Sequence, residues 1–231
     1  MVLKKIFLTG GSGTLGGELI KISKAHDVEF ITPSSKFCNI CNPYQIKNHI
    51  MSSGCDIVVH SAAITNVRAT ENDPSRAWEV NVLGTLNVLK SCKDLGKKLI
   101  YISTDYVFDG EKGNYAIDDP INPLSKYAKT KAAGELLVRT YENSLVIRTS
   151  FFGYEFPYEE AIVDQWTSKN YVDIIAPKVM DAIVSNAIGI VHVGSERRSI
   201  YDIAKERCTS VIKISRCNVN GPIPKDTSFT Y

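Results

Sequence analysis

Short apolar runs punctuate the chain at Ile6-Phe7-Leu8, Val28-Glu29-Phe30-Ile31, Ile57-Val58-Val59, Leu99-Ile100-Tyr101-Ile102 and Leu145-Val146-Ile147. Runs this short, with almost no polar alternation, are the pattern of strands buried on both faces. Between them, residues 14–25, 75–92 and 123–142 carry apolar side chains three and four apart, with Pro74 and Pro123 near the starts of the last two. That spacing predicts helices. Strand and helix in alternation imply an α/β fold, a Rossmann-type doubly wound parallel sheet covered by helices on both faces. Past residue 150 the rhythm weakens. Pro157, Pro177, Pro222 and Pro224 interrupt it, leaving a helical stretch near 178–188 and a strand at Ile190-Val191-His192-Val193. The sequence thus divides into residues 1–150 and a small C-terminal lobe, 151–231, with no low-complexity linker between them. The two parts are expected to pack together. No repeat of fixed period is present, which sets aside solenoids and propellers.

Composition narrows the class without changing it. Of 231 residues, 44% are hydrophobic and 23% charged, enough to bury a sizeable core and to exclude a disordered chain. Lys and Arg number 27 against 25 Asp and Glu, a net charge of +2, and the charges are interspersed. Nothing in that balance points to nucleic acid or an anionic membrane, so a small or neutral partner is expected. No apolar run approaches the length of a membrane span, and Met1-Val2-Leu3-Lys4-Lys5 leads straight into the first strand without a signal-peptide pattern. A soluble, cytoplasmic protein follows as the expectation. Cys38, Cys41, Cys55, Cys92, Cys208 and Cys217 then read as reduced, buried core thiols. Cys38 and Cys41 form a C-x-x-C, but no second pair completes a zinc set and His26 and His49 flank it without pattern, so no metal is expected.

The chemistry concentrates at the ends of the predicted strands. Thr9-Gly10-Gly11-Ser12-Gly13-Thr14-Leu15-Gly16 follows the first strand and opens the first helix. Glycines there permit a tight turn, close approach to a pyrophosphate and tight packing of helix on strand, and the helix N-terminus favours negative charge. Alone, the pattern is equally that of an ordinary glycine-rich turn. Dinucleotide folds that prefer NAD carry an acid at the end of the second strand. Ile31-Thr32-Pro33-Ser34-Ser35-Lys36 offers hydroxyls and an ammonium instead, which suits the added phosphate of NADP; a solvated loop lysine is the plainer reading. His60-Ser61-Ala62-Ala63 closes the third strand with small residues that leave room for a flat cofactor. Asn81 stands in an apolar helical stretch, where its amide requires a partner in the backbone or water.

Ser103-Thr104-Asp105-Tyr106-Val107-Phe108-Asp109-Gly110 follows the fourth strand, where ligands of an open parallel sheet bind. Hydroxyls there can reach a substrate carbonyl, or simply satisfy the turn backbone. Tyr127 and Lys131 are four apart in a helical stretch and share a face. An ammonium near a phenol of ordinary pKa about 10 favours the phenolate and makes the tyrosine a usable acid or base. A solvated helix face carrying an incidental Tyr and Lys has the same pattern.

Together these residues resemble the extended short-chain dehydrogenase/reductase superfamily. The likeness lies in T-G-x-x-G-x-x-G at Thr9 to Gly16, V-V-H-x-A-A at Val58 to Ala63, Asn81, and Tyr127 with Lys131. Within it, Ser103 to Gly110, Asn122-Pro123-Leu124, Gly134-Glu135 and Arg148-Thr149-Ser150 look like the dTDP-4-dehydrorhamnose reductase family. Asp164-Gln165-Trp166-Thr167-Ser168 through Ala176 is more loosely similar to that family's D-Q-x-G-x-P-T-x-x-x-D-x-A segment, with Lys169-Asn170 in place of Pro-Thr, and the stretch Phe152 to Val163 is shorter than usual.

The resemblance implies an NAD(P)-binding domain with a reduced substrate-binding lobe, and an NADPH-dependent reductase of a nucleotide-linked 4-keto-6-deoxy sugar. NADP(H) is the preferred cofactor and NAD(H) an alternative. By the same resemblance Thr104, Tyr127 and Lys131 form the catalytic set, Asn81 supporting them through a hydrogen-bond relay. Lys131 would hold the nicotinamide ribose and lower the Tyr127 pKa. Cofactor contacts would come from Gly10, Ser12, Gly13, Thr14, Leu15, Gly16, Ser34, Ser35, Lys36, Asn39, Ile40, Ser61, Ala62, Ala63, Tyr127 and Lys131. Substrate contacts would come from Ser103, Thr104, Asp105, Tyr106, Val107, Phe151 and Gln165. Two other readings share the fold: a non-catalytic regulatory subunit like the methionine adenosyltransferase beta subunit, and a nucleotide-sugar epimerase or dehydratase. A homodimer is the superfamily habit.

Overall fold

The computed structural model describes residues 3–219 and 221–231; Met1 and Val2, at the head of the opening run, and Asn220 lie outside it. The strands are β1 (Lys4–Thr9), β2 (Val28–Ile31), β3 (Ile57–His60), β4 (Lys98–Ser103), β5 (Ser144–Thr149), β6 (Phe151–Phe152), β7 (Glu160–Ile162), β8 (Trp166–Thr167), β9 (Asn170–Tyr171), β10 (Gly189–Val193), β11 (Arg198–Ser199) and β12 (Ile212–Ile214). The α-helices are α1 (Thr14–Ile22), α2 (Pro43–Ser53), α3 (Val67–Asn72), α4 (Ser75–Trp78), α5 (Thr85–Leu95), α6 (Lys126–Val138), α7 (Val172–Val184) and α8 (Ile200–Lys205), with a π-helical turn at Glu79–Gly84 joining α4 to α5.

Six strands form one sheet in the order β10-β5-β4-β3-β1-β2, and every pair in it is parallel. Side chains alternate strictly across it, as a two-residue period requires. Ile6 and Leu8 join Ile57, Val59, Leu145 and Ile147 on the face covered by α1 and α7, through Leu15, Leu19, Ile175 and Val179. Phe7, Val58, Leu99 and Val146 point to the other face, against Ile46 and Ile50 of α2 and Val88, Leu89 and Cys92 of α5. From β1 the chain passes to β2 on one side and then to β3 on the other. The crevice at that reversal, beyond the carboxyl ends of the strands, is where such sheets bind ligands.

Three expectations change. Helix α6 starts at Lys126 because the Ser125 side chain caps it, accepting from the Ala128 N–H at 3.1 Å; Pro123 stays in the preceding loop. The helix expected near 178–188 begins earlier, at Val172, and the strand at 190–193 does not belong to the second lobe. As β10 it pairs in parallel with β5 and completes the main sheet, because α7 carries a continuous apolar stripe that packs on α1 and returns the chain to the sheet edge. The lobe is therefore built from what remains: three two-stranded pairs, β6 with β9, β7 with β12 and β8 with β11, around a core that includes Phe152, Phe156, Ile162, Tyr171 and Ile203. Finally, all six cysteines are free thiols, but only Cys38, Cys55 and Cys92 are buried. Cys217, on the edge of the lobe, is exposed, and Cys41 and Cys208 are half-buried.

Beneath the crevice lies a fully buried ion pair. Arg148 on β5 donates from Nη2 to Glu135 Oε1 of α6 at 2.6 Å and from Nε at 3.1 Å, and Glu135 Oε2 accepts the Ser103 hydroxyl at 2.6 Å. Arg148 Nη1 donates to Ile117 O at 3.1 Å and the guanidinium lies over the Phe108 ring. Removing one member of such a pair strands a buried charge, whereas removing both removes the desolvation cost as well. Glu135→Leu and Arg148→Met are each expected to lose about 3–5 kcal/mol of unfolding free energy. In urea titrations the double variant should recover a large part of that loss; losses that simply add would mean the two charges do not depend on one another.

Candidate active site

The glycine loop and the end of β3 meet at the topological reversal. Gly10 has φ +77°, and a Cβ on it would stand 2.7 Å from Ala62 N, so only glycine fits there. At Gly16 a Cβ would lie 2.3 Å from Gly10 O, which keeps α1 against the loop. Gly13 begins α1 without any side-chain cap, and no acid stands in its first turn. The N–H groups of Thr14, Leu15 and Gly16 thus form an uncapped, electropositive helix end, a fit for a pyrophosphate. At the end of β2, Ser34, Ser35 and Lys36 are exposed, with Lys36 N donating to Ser34 Oγ.

A chain of hydrogen bonds fixes this junction. The Thr85 hydroxyl donates to Asn81 O at 2.7 Å, so it must accept from His60 Nε2, 3.0 Å away. His60 Nδ1 is then the acceptor for the Thr9 hydroxyl at 2.7 Å, and Thr9 Oγ1 accepts from Ala62 N at 3.3 Å. Burial, with help from the Lys131 ammonium, holds His60 down to about 3, so the ring stays neutral as the network requires. Asn81 sits in the π-helical turn with both ends of its amide used. Oδ1 accepts from Ile64 N at 2.8 Å, while Nδ2 donates to Ile64 O at 3.0 Å and to Thr130 Oγ1 at 2.9 Å. Thr130 in turn donates to Tyr127 O at 2.7 Å. Asn81 is therefore a positioning residue: its side chain braces the turn of α6 that carries Tyr127 and does not line the cavity.

On α6 the phenol of Tyr127 and the ammonium of Lys131 are both buried. Burial drives the Tyr127 phenol well up, with only the Thr104 hydroxyl beside it pulling down. The expected lowering by Lys131 is not found. Lys131 Nζ donates to Ile102 O at 2.7 Å and lies 4.1 Å from the centre of the Tyr101 ring, and burial pulls this ammonium down to about 7 against the opposing pull of Glu135. Thr104 Oγ1 accepts from Tyr106 N and donates to Asp105 Oδ1, both at 3.2 Å, so it serves the turn as well as facing Tyr127.

These groups open on one cavity of about 370 Å³. Its walls include Thr14, Ser61 and Ala63 from the dinucleotide side, Ser103, Thr104, Tyr106, Tyr127 and Lys131 from β4 and α6, and Phe151, Phe152, Tyr158 and Lys169 from the lobe. Several candidates lie elsewhere. Asp105 is buried and consumed by the Thr167 and Thr227 hydroxyls at 3.1 and 2.8 Å, tying β4 to the lobe. Val107 packs with Phe108 and Tyr115, and Gln165 is buried with its carbonyl accepting from Ile200 N. Ser103 reaches the wall, but its hydroxyl is given to Glu135. Leu15 and Ile40 send their side chains into the two cores, and Asn39 Oδ1 accepts from Cys41 N within its own turn. Thr65, Ser150, Tyr158 and Lys169 are wall residues that the motif reading missed. Two of them left a trace in the sequence, Ser150 in the Arg148-Thr149-Ser150 run and Lys169 as a break in the D-Q-x-G-x-P-T pattern.

The model of the RmlD substrate binding domain matches residues 4–181. The spore coat polysaccharide biosynthesis protein SpsK of Bacillus subtilis is 34% identical over 211 residues, 84% of this chain and 74% of that protein. Methionine adenosyltransferase 2 subunit beta of Bos taurus is 32% identical over 149 residues, 62% of this chain, which spans under half of that subunit, 44%. In three dimensions the chain superposes on a crystal structure of dTDP-4-dehydrorhamnose reductase from Bacillus anthracis in complex with NADP, with TM-score 0.90 and 25% identity, covering 100% of this chain and 91% of that one. That match takes in the lobe as well as the sheet. By its sequence, its sheet and its crevice, the chain belongs to the RmlD substrate binding domain family, among the dTDP-4-dehydrorhamnose reductase-like proteins.

Proposed function

We propose that the protein is an NADPH-dependent reductase of a nucleotide-linked 4-keto-6-deoxy sugar, acting at the C4 carbonyl. The observation that carries this reading is the convergence of Thr104, Tyr127 and Lys131 on the cavity that also takes in Thr14, Ser61 and Ala63. The uncapped start of α1 and the side-chain-free surface at Gly10 suit a dinucleotide. The NADP complex of the Bacillus anthracis reductase supports the same choice. When bound, NADPH supplies the hydride.

The chain's own groups manage the proton. Tyr127, held protonated by burial, is stored as the donor to the carbonyl oxygen. The Thr104 hydroxyl orients that oxygen by turning its one proton to it from Asp105 Oδ1. Lys131 holds the nicotinamide ribose with the N–H donors that Ile102 O leaves free. Ser34, Ser35 and Lys36, with no acid at the end of β2, favour the added phosphate of NADP. Among the described residues no carboxylate lines the cavity, which leaves a dehydratase without its acid and base pair. The similarity to the bovine methionine adenosyltransferase 2 subunit beta keeps one second reading, a regulatory subunit that binds NADPH without consuming it.

Three results are expected. Tyr127→Phe should bind NADPH like the unaltered protein in fluorescence titration yet lose roughly 10²–10⁴-fold in turnover with dTDP-4-keto-6-deoxyglucose. Undiminished turnover would remove Tyr127 as donor, and NADPH that binds but is never consumed would favour the regulatory reading. NADPH should bind more tightly than NADH, and Lys36→Ala should weaken NADPH by a fewfold, the scale of an exposed charge pair; equal weakening of NADH would detach Lys36 from the phosphate. Lys131 also sets a pH dependence. Its value near 7 lies below the ordinary 10.5, so between the two the unfolded chain binds more protons and stability rises with pH. The unfolding free energy of the ligand-free protein, minus that of Lys131→Met, should climb over that window; a flat difference would mean an ordinary lysine.

A further inference from the structure

We propose that Lys169 pairs with an anionic oxygen of the substrate, phosphate or carboxylate, so that this cavity selects a charged ligand at its lobe end as well as a dinucleotide at its glycine-loop end. The inference rests on the reductase reading for the substrate's identity as a sugar derivative, but its geometry stands apart from the hydride chemistry.

Two lysines line the cavity, and among the described residues no carboxylate does. Lys131 gives one N–H to Ile102 O and serves the nicotinamide ribose on the reductase reading. Lys169 is different. Its Nζ lies 4.8 Å from the centre of the Phe152 ring and 5.2 Å from that of Tyr106. None of the ion pairs among the described residues includes it. The nearby acid whose field reaches it, Asp105, has its oxygens occupied by the hydroxyls of Thr104, Thr167 and Thr227. The Tyr106 hydroxyl shares one N–H of Lys169, and aromatic faces attract a cation without using its donors, so the remaining donors are available to a ligand.

The turn that carries it is held in place. Lys169 N donates to Thr167 Oγ1 at 3.1 Å, and Ser168 O accepts from Ser195 N at 2.7 Å. Burial works against the charge of Lys169, yet Tyr106, Asp105 and Tyr158 hold it above the ordinary lysine value, so it meets a ligand as the ammonium. A half-buried ammonium with no counter-ion has already lost part of its hydration, and an arriving anion recovers that cost. The dinucleotide's own phosphates are served by the start of α1, while Lys169 belongs to the lobe with Phe152 and Tyr158. The anion it meets is therefore the substrate's: the diphosphate in a nucleotide-linked 6-deoxy sugar, whose C6 is a methyl group, or a ring carboxylate where the sugar is instead oxidised at C6.

Calorimetric titration of the NADPH-saturated protein with dTDP, UDP-glucose and UDP-glucuronate separates the two sources. If Lys169 pairs with the diphosphate, Lys169→Met weakens dTDP on the order of tenfold or more, and Lys169→Arg restores most of the affinity. If it pairs with a sugar carboxylate, dTDP is unchanged, and the tighter binding of UDP-glucuronate over UDP-glucose is lost in Lys169→Met. NADPH affinity equal to that of the unaltered protein certifies that each variant is folded. The proposal is overturned if all three probes bind Lys169→Met as they bind the unaltered protein, or if none of them binds the unaltered protein. Failure of the reductase reading shows up separately, as NADPH that is bound but not oxidised.

Discussion

Glu135 is fully buried, and its two oxygens are divided between the Arg148 guanidinium on β5 and the Ser103 hydroxyl at the end of β4. That carboxylate stands one helical turn beyond Lys131, so the helix that carries Tyr127 and Lys131 is pinned to β4 and β5. A buried charge cannot be left unpaired without a cost of several kcal/mol, which means α6 cannot slide or rotate on the sheet without breaking this contact. The close approach at Gly134, where a Cβ would meet Tyr101 Oη at 2.6 Å, brings the same helix against the sheet and the π-helical turn. The phenol and the ammonium are placed by these contacts more than by anything in the cavity itself.

The opposite side of the crevice is fixed by neutral groups. Thr9, His60, Thr85 and Asn81 pass hydrogen bonds from the glycine loop to the π-helical turn, and each donor finds one acceptor only if His60 is neutral with its proton on Nε2. Burial guarantees that state. A π-helical turn gives up regular α-helical bonding, and here it frees Asn81 to hold Ile64 on one side and Thr130 on the other. The result is a cavity with rigid polar edges, free of carboxylates among the described residues and lined by two lysines. Its electrostatics favour anionic ligands at both ends.

By itself the sequence determined what consecutive residues can encode. The alternation of Ile6, Phe7 and Leu8, and of Leu145, Val146 and Ile147, was enough to specify buried strands and a sheet with two covered faces. Glycines at Gly10 and Gly16 marked a loop that no side chain could enter, and the four-residue spacing of Tyr127 and Lys131 put both on one helix face. Tertiary structure decided whatever depends on partners distant in the chain. It turned Asp105 from a pocket residue into a brace for Thr167 and Thr227, gave Ser103 to Glu135, and returned β10 to the main sheet. It also left Lys169 without a counter-ion among the described residues, in a cavity whose other walls are supplied by residues from Thr14 to Tyr158. Periodicity and turn chemistry act over a few residues and can be read from their order. A polar side chain's role is set by which donor, acceptor or charge reaches it after burial, and that is a property of the folded chain alone.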